Sequence, residues 1–201
     1  NKALKNIYSQ SYKNFYLYIS DNASTDETNK ICKIWQKRKK NIKIFKQKKK
    51  VNINTNFYSI YSKSKTKYFM WIAADDRRSK NYIRDNLNFL KKNDSFISSS
   101  CPSIIEYNNN RQSKKVSFEI TGEKSDRYYQ FLKNCFISHS IFYSVFKKVD
   151  ISISKKYLDY MAWDWIVNLI FLTKGKFHRV KKGYLYSAYG GTSSQKKYIY
   201  S

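Results

Sequence analysis

Phe15-Tyr16-Leu17-Tyr18-Ile19-Ser20, followed by Asp21-Asn22-Ala23-Ser24-Thr25-Asp26, is the stretch whose reading decides the fold. The first six residues read as a short, mostly apolar strand, and the next six are a polar cluster of turn formers that closes it. Ser24 and Glu27 stand at capping-box spacing, and Ile31, Ile34 and Trp35 beyond them supply one apolar face of a helix. Upstream, Ala3, Leu4, Ile7 and Tyr8 have the spacing of an amphipathic helix. Downstream, Ile42 to Phe45 reads as a second strand and Asn54 to Ser62 as a helix. Tyr68 to Ala74 is an apolar run suited to a strand buried on both faces. This alternation predicts an α/β domain with a largely parallel sheet.

The later chain is less regular. A helix through Leu87 and Leu90 precedes a strand-rich stretch from Phe96 to Tyr107, and Asn108 to Gln112 and Gly122 to Arg127 read as loops. Phe136 to Phe146 alternates weakly, as a strand would. Tyr157 to Lys174 carries a helical pattern ended by Gly175. Phe177 to Val180 and Tyr184 to Tyr186 read as short strands, and Gly190-Gly191-Thr192-Ser193 as a turn. No repeat or linker divides the 201 residues, so one domain is expected: a half at 1–100, a second half at 101–190 and a mobile basic tail at 191–201.

Composition excludes several classes. Hydrophobic residues make up 41% of the chain and aromatics 18%, enough to build a core and to exclude wholesale disorder. No window supplies the roughly 20 apolar residues of a membrane span. Cys32, Cys101 and Cys135 are odd in number and lack Cys-x-x-Cys spacing, so neither a disulfide framework nor a zinc site is expected, and a cytoplasmic setting fits. Forty Lys and Arg against 14 Asp and Glu give +26, a field that attracts nucleic acid, anionic lipid or phosphorylated ligands. Lysine exceeds arginine severalfold, and Asn, Ile, Tyr and Phe are also abundant. AT-rich codons account for that composition better than a binding surface does, since a phosphate-reading surface favours the arginine fork.

Aspartates at strand ends carry the chemical signal. In open α/β sheets ligands lie beyond the carboxyl ends of the strands. Asp21 follows the first strand, and Asp75 with Asp76 follows the buried run. Adjacent carboxylates repel unless a cation neutralises them, and Mg²⁺ or Mn²⁺ takes oxygen ligands supplemented by substrate phosphates. A metal and a diphosphate account for the pair; for Asp21 and Ser24, plain turn and cap roles remain an equal alternative.

The segment from Leu4 through Gln10-Ser11-Tyr12 and Asn14-Phe15 into Ile19 to Asp26 resembles the family 2 glycosyltransferases of the GT-A fold. So do Asn56-Phe57, Tyr68-Phe69-Met70-Trp71, Ala74-Asp75-Asp76, Trp163-Asp164-Trp165, Gly175-Lys176-Phe177 and Gly190 to Ser193. The resemblance implies a nucleotide-sugar donor held by Asp21, Asn22, Ser24, Asn56, Ala74 and Asp75, with Asp21 on the base. It implies a divalent metal, Mn²⁺ or Mg²⁺, on Asp75, with Asp76 as a second contributor because the usual first acid is Ala73. It also makes Asp164 the general base of an inverting transfer to a saccharide or lipid-linked acceptor, with Asp159 the rival by spacing. Bacterial polysaccharide or glycolipid synthesis at the inner face of the plasma membrane is the implied setting, with peripheral contact to anionic lipid and no specific nucleic acid.

Departures from the family pattern bear on this reading. Asn52 stands for a glycine, a change Asn tolerates if the backbone is left-handed. Ser64-Lys65-Thr66 stands for Ala-x-Gly, and Ala188 for an arginine. The family's first strand would precede Asn1, so the chain reads as a partial sequence that binds nucleotide poorly by itself. Two further readings stand beside this one: a nucleic-acid-binding module with steeply salt-dependent affinity, and a catalytically silent relative. His139 and His178 read as structural or exposed, Lys46 to Lys50 as a solvated run able to meet diphosphate or lipid, and Trp71, Trp163 and Trp165 chiefly as core, with Trp163 or Trp165 the alternative platforms for an acceptor sugar.

Overall fold

Helix α1 (Lys2–Tyr8) leads into strand β1 (Leu17–Asp21), α2 (Thr28–Arg38) and β2 (Ile42–Lys46), with β1 and β2 pairing in parallel. The computed structural model describes residues 1–106, 112–114, 118–135, 139–151 and 155–188. The expected Ser24–Glu27 box does not form: α2 starts a turn later, after Glu27, and Asp26 accepts the Thr28 N–H instead. Ala23 takes a left-handed φ of 54°, which extends the turn and delivers the Ser24 N–H to Asp21 rather than to a helix start.

Helix α3 (Ile53–Lys63) begins at Asn52, whose side chain accepts the Asn54 N–H. With φ −52° and ψ 143°, Asn52 is an ordinary N-cap, so the change from glycine is explained by capping and not by a left-handed backbone. The apolar run yields only a two-residue strand, β3 (Tyr68–Phe69), followed by a loop. Its one partner among the described residues, antiparallel β8 (Val145–Lys147), is in register with it only as far as Phe69. Beyond it Trp71 turns into the core. Strands β4 (Arg77–Arg78), β5 (Phe96–Ser100), β6 (Ser103–Glu106), β7 (Gln112–Lys114), β9 (Lys176–Arg179) and β10 (Leu185–Ala188) complete the set, with α4 (Tyr82–Lys92), α5 (Lys124–Asn134), α6 (His139–Phe142) and α7 (Trp163–Leu172).

Described strands form three groups: β1-β2, β3-β8-β5-β9 and β4-β10-β6-β7. Pairings β1–β2, β5–β9 and β6–β10 are parallel, whereas those of β3 and β5 with β8, of β4 with β10 and of β6 with β7 are antiparallel. The α/β expectation holds, with a sheet more mixed than a mostly parallel one, because β8 inserts antiparallel between β3 and β5. Neither β1 nor β3 has a second described neighbour, so the sheet is divided between them.

Three other expectations change. The weak alternation up to Phe146 yields helix α6 and then only the short strand β8, not one strand. Gly122 to Arg127 is not simply a loop: α5 starts at Lys124, with a capping box between Glu123 and Asp126. The helical pattern from Tyr157 splits into a 3-10 helix (Lys155–Asp159) and α7. The readings at 108–111, 136–138 and 189–201 lie outside the described residues.

Trp71 is the centre of the core. It stacks on Phe142 at 4.6 Å and Tyr61 at 5.2 Å, meets Phe69 edge-on at 4.8 Å, and its indole N–H donates to Phe57 O at 3.2 Å. Helix α7 buries Trp163, Val167, Phe171 and Leu172 in the same cluster. This aromatic mass fixes where the loop after Trp71 and the N-terminus of α7 come to lie.

Candidate active site

The turn after β1 is held by its own side chains. Asp21 is buried; its Oδ1 accepts the Ser24 N–H at 2.9 Å and its Oδ2 the Asn29 side-chain amide at 3.3 Å. Burial pushes this carboxyl up, but the Ser24 and Asn29 hydrogen bonds and the Lys46 charge outweigh it and hold Asp21 below the ordinary carboxylate range. Asn22 donates to Val51 O at 2.8 Å and accepts the Val51 N–H at 2.9 Å, fastening the turn to the loop before α3. Ser20 Oγ donates to Asn56 Oδ1 at 2.6 Å. Of the donor-site residues expected here, Asp21, Asn22 and Asn56 thus carry structural bonds, and Ser24 contributes its backbone.

The loop after β3 turns at Ala73, whose carbonyl accepts the Asp76 N–H at 3.4 Å. Ala74 and Asp75 are exposed, while Asp76 is only 5% exposed, with the Ser187 hydroxyl nearby but Oδ2 without a well-formed hydrogen bond among the described residues. Burial pushes the Asp76 carboxyl up, Arg78 pulls it down and Asp75 pushes it up again, leaving it at about 6. Buried Arg78 reaches back to Trp71 O at 3.1 Å, with Nε and Nη1 unpartnered. Helix α1 clamps the backbone here: Asn6 Nδ2 donates to Arg78 O and Asn6 Oδ1 accepts the Arg78 N–H, at 2.9 and 2.8 Å.

Asp164 occupies the first turn of α7 and is half-buried. Burial pushes its carboxyl up, opposed by the Trp165 N–H and its own N–H. Tyr143 joins the three acids. Its phenol is pushed up first by burial and then by the negative charges of Asp76, Asp164 and Asp75, so all three carboxylates lie within electrostatic reach of one hydroxyl. Sequence reasoning passed over Tyr143, since an aromatic between Phe142 and Ser144 carries no pattern that separates it from core.

Asp75, Asp76 and Asp164 are thus each placed within electrostatic reach of Tyr143. Asp21 belongs with Asn29, Cys32 and Lys46 on the β1–β2 unit, which the Ser20–Asn56 bond joins to α3. Asp159 is drawn to the start of α3, where it accepts from Asn52 Nδ2 at 3.4 Å. Trp163 is buried and is no acceptor platform; Trp165 is half-buried. His178 pairs with Glu119 and stacks on Phe89, a structural role, while nothing describes the His139 side chain. A cleft of about 710 Å³ lined by Ser64, Lys65, Lys148 and Asp150 lies at the entry to β3, whereas the acids lie past its exit.

Among the described residues no group of three or more His, Cys, Asp or Glu side chains could hold a metal unaided. Asp75 and Asp76 do fit a hard cation as a half-site: they are oxygen donors, one with an orphaned buried atom, and phosphate oxygens and water complete such shells.

A mixed α/β sheet with helices packed around it and acidic residues past its strand ends is the architecture of GT-A nucleotide-sugar transferases. The structure resembles that of TarS from S. aureus in complex with UDP, at 14% identity and TM-score 0.63, covering 92% of this chain and 55% of that one. It also resembles the mannosyltransferase PcManGT from Pyrobaculum calidifontis in complex with GDP-Man and Mn²⁺, at 13% identity and TM-score 0.62, covering 92% and 52%. The chain spans about half of PcManGT and of the TarS 1–349 fragment, and 33% of the longer TarS chain. No curated protein matches its sequence significantly. The model of the family described as Glycosyl transferase family 2 matches residues 1–151, and the chain belongs to that family of glycosyltransferases.

Proposed function

We propose that the protein transfers a sugar from a nucleotide-diphosphate sugar to an acceptor hydroxyl with inversion, Asp164 acting as general base. The observation that carries this reading is the gathering of Asp75, Asp76 and Asp164 about Tyr143. The raised affinity of Asp164 for a proton suits it to accept one from the acceptor hydroxyl as that oxygen attacks the anomeric carbon. Asp75, exposed at the loop tip, and Asp76 behind it would hold a divalent metal, Mn²⁺ or Mg²⁺, which when bound neutralises charge on the departing diphosphate. Exposed Ala74 and the turn at Asn22 and Ser24 leave room for the nucleotide, while Asp21 acts from below by fixing that turn. The neighbours bound to UDP and to GDP-Man support a nucleotide-sugar donor. A saccharide or lipid-linked precursor of a bacterial surface polysaccharide or glycolipid is the proposed acceptor, with the protein working in the cytoplasm, peripheral to the inner membrane face. Among the described residues no helix is long and apolar enough to cross a membrane.

The test is a thermal-shift screen of the protein extended through the family's first strand, against UDP, GDP, dTDP and CMP, each with and without Mn²⁺. A ligand at ~10 times its Kd stabilises by about 1.4 kcal/mol, so even a weak site is detectable at millimolar nucleotide. One diphosphate should stabilise, and more so with Mn²⁺; silence from all four removes the donor-site assignment. The burial of Asp76 beside Arg78, together with Ala73, favours a second reading, a folded but inactive relative. That reading predicts nucleotide binding without turnover.

A further inference from the structure

An exposed apolar rim stands beside the acceptor side of the carboxylate cluster. Met161 is 83% exposed, Tyr160 56%, Ile53 48% and Tyr157 39%. Met161 lies three residues before Asp164, and the Trp163 N–H donates to Tyr160 O at 3.2 Å, so the rim leads directly into the first turn of α7. The surface is braced. Asn54 Nδ2 donates to Leu158 O at 2.8 Å and to Tyr160 O at 2.9 Å, fastening the 3-10 helix to the start of α3, where Ile53 sits. Tyr157 and Tyr160 stack with centroids 5.8 Å apart. Exposed Lys48, Lys49 and Lys50 precede Ile53 on the loop fastened to Asn22 through Val51.

We propose that the protein docks on an anionic bilayer through this rim, with Ile53, Met161 and the two tyrosines entering the headgroup boundary and Lys48 to Lys50 meeting lipid phosphates. The chemistry of the set selects this occupant. Ile53 and Met161 offer no hydrogen-bonding group to a sugar, whereas aliphatic tips, interfacial tyrosines and neighbouring lysines together match a lipid surface. Placing the carboxylates at the membrane, where a lipid-linked acceptor would be presented, rests on their reading as a transfer site; the docking contact itself rests on the rim.

The net charge of +26 attracts anionic vesicles to any face, so the experiment must locate the contact. A fluorescent label on Met161→Cys is compared with the same label on Tyr16→Cys, at the opposite end of β1; Cys32, Cys101 and Cys135 are buried and shielded from labelling. Vesicles are phosphatidylcholine alone or with about 30% phosphatidylglycerol, in about 0.3 M salt, where screening weakens diffuse attraction. Emission at position 161 should shift to the blue with anionic vesicles only, and position 16 should not respond. The double variant Ile53→Asp/Met161→Asp should bind at least ~10-fold more weakly. Lys48→Gln/Lys49→Gln should lose about fivefold per lysine, and Lys91→Gln/Lys92→Gln, an equal charge change at the far end of α4, much less. A label at 161 that stays in water, or equal losses from the two lysine pairs, overturns the proposal. So does a label that answers soluble oligosaccharide and ignores vesicles, which would make the rim a glycan platform. Nucleotide-induced thermal shifts on the same samples separate the two readings: docking without any nucleotide response would sink the transfer site alone.

Discussion

Replacing Asp76 by Asn tests the electrostatics of the site directly. Asp76 is buried, one of its oxygens lacks a well-formed hydrogen bond, and its affinity for a proton is raised from the model-peptide value of 3.8 to about 6. An acid whose folded pKa lies above its unfolded one holds its proton more tightly in the folded state. Its ionisation therefore removes stability, beginning as pH rises past about 4 and complete above about 6. About two units correspond to roughly 3 kcal/mol. Asn keeps the shape without the charge, so Asp76→Asn should be nearly neutral near pH ~4 and stabilising by up to about 3 kcal/mol above pH ~7. For a chain of this length that is roughly 5–10 °C in Tm. Calorimetry of both proteins in EDTA across this range provides the reading. A variant less stable at neutral pH would falsify the argument and show that Arg78 holds Asp76 as a net-favourable ion pair; a pH-independent difference would refute it too, showing that folding leaves the proton affinity of Asp76 unmoved.

Asp164→Asn should lower kcat by about 10²- to 10⁴-fold while leaving the nucleotide-induced thermal shift in place; a matching loss of nucleotide response would assign Asp164 to binding. In the parent enzyme, kcat/KM should rise with pH until Asp164 is ionised and then level, at a midpoint above that of an ordinary aspartate; a flat profile across the acid range speaks against it as the base. Gly175→Ala would place a Cβ 2.8 Å from Ser95 O and 3.0 Å from Ile97 N. Backbone on β5 would have to move, with an expected loss of about 1–3 kcal/mol in urea titration, and an unchanged midpoint would show that the strand yields freely.

The elements most legible in the sequence were those with local causes. Apolar periodicity gave α1, α4 and the strands at Leu17, Ile42 and Phe96, strand-end logic singled out Asp21, Asp75 and Asp76, and the family resemblance singled out Asp164. Long-range choices were not legible. The run from Tyr68 has the composition of a long strand, yet among the described residues its pairing, with β8, ends at Phe69 and the core claims Trp71. Helix α5 hides behind a polar sequence in which Phe131 alone is buried, so its periodicity is faint. Asp75 and Asp76 look equivalent as letters, and only three-dimensional packing sends one outward and the other against Arg78. Tyr143 needed the positions of three acids distant in sequence.

The reciprocal Asn22–Val51 hydrogen bonds and the Ser20–Asn56 bond have a mechanical consequence: the turn after β1 and the entry to α3 move as one piece. A cut at either end is felt at both, so Asn22→Ala should speed amide exchange at Ser24 and at Asn54 together, while sparing Ile97 to Ser100, which lie between two neighbouring strands.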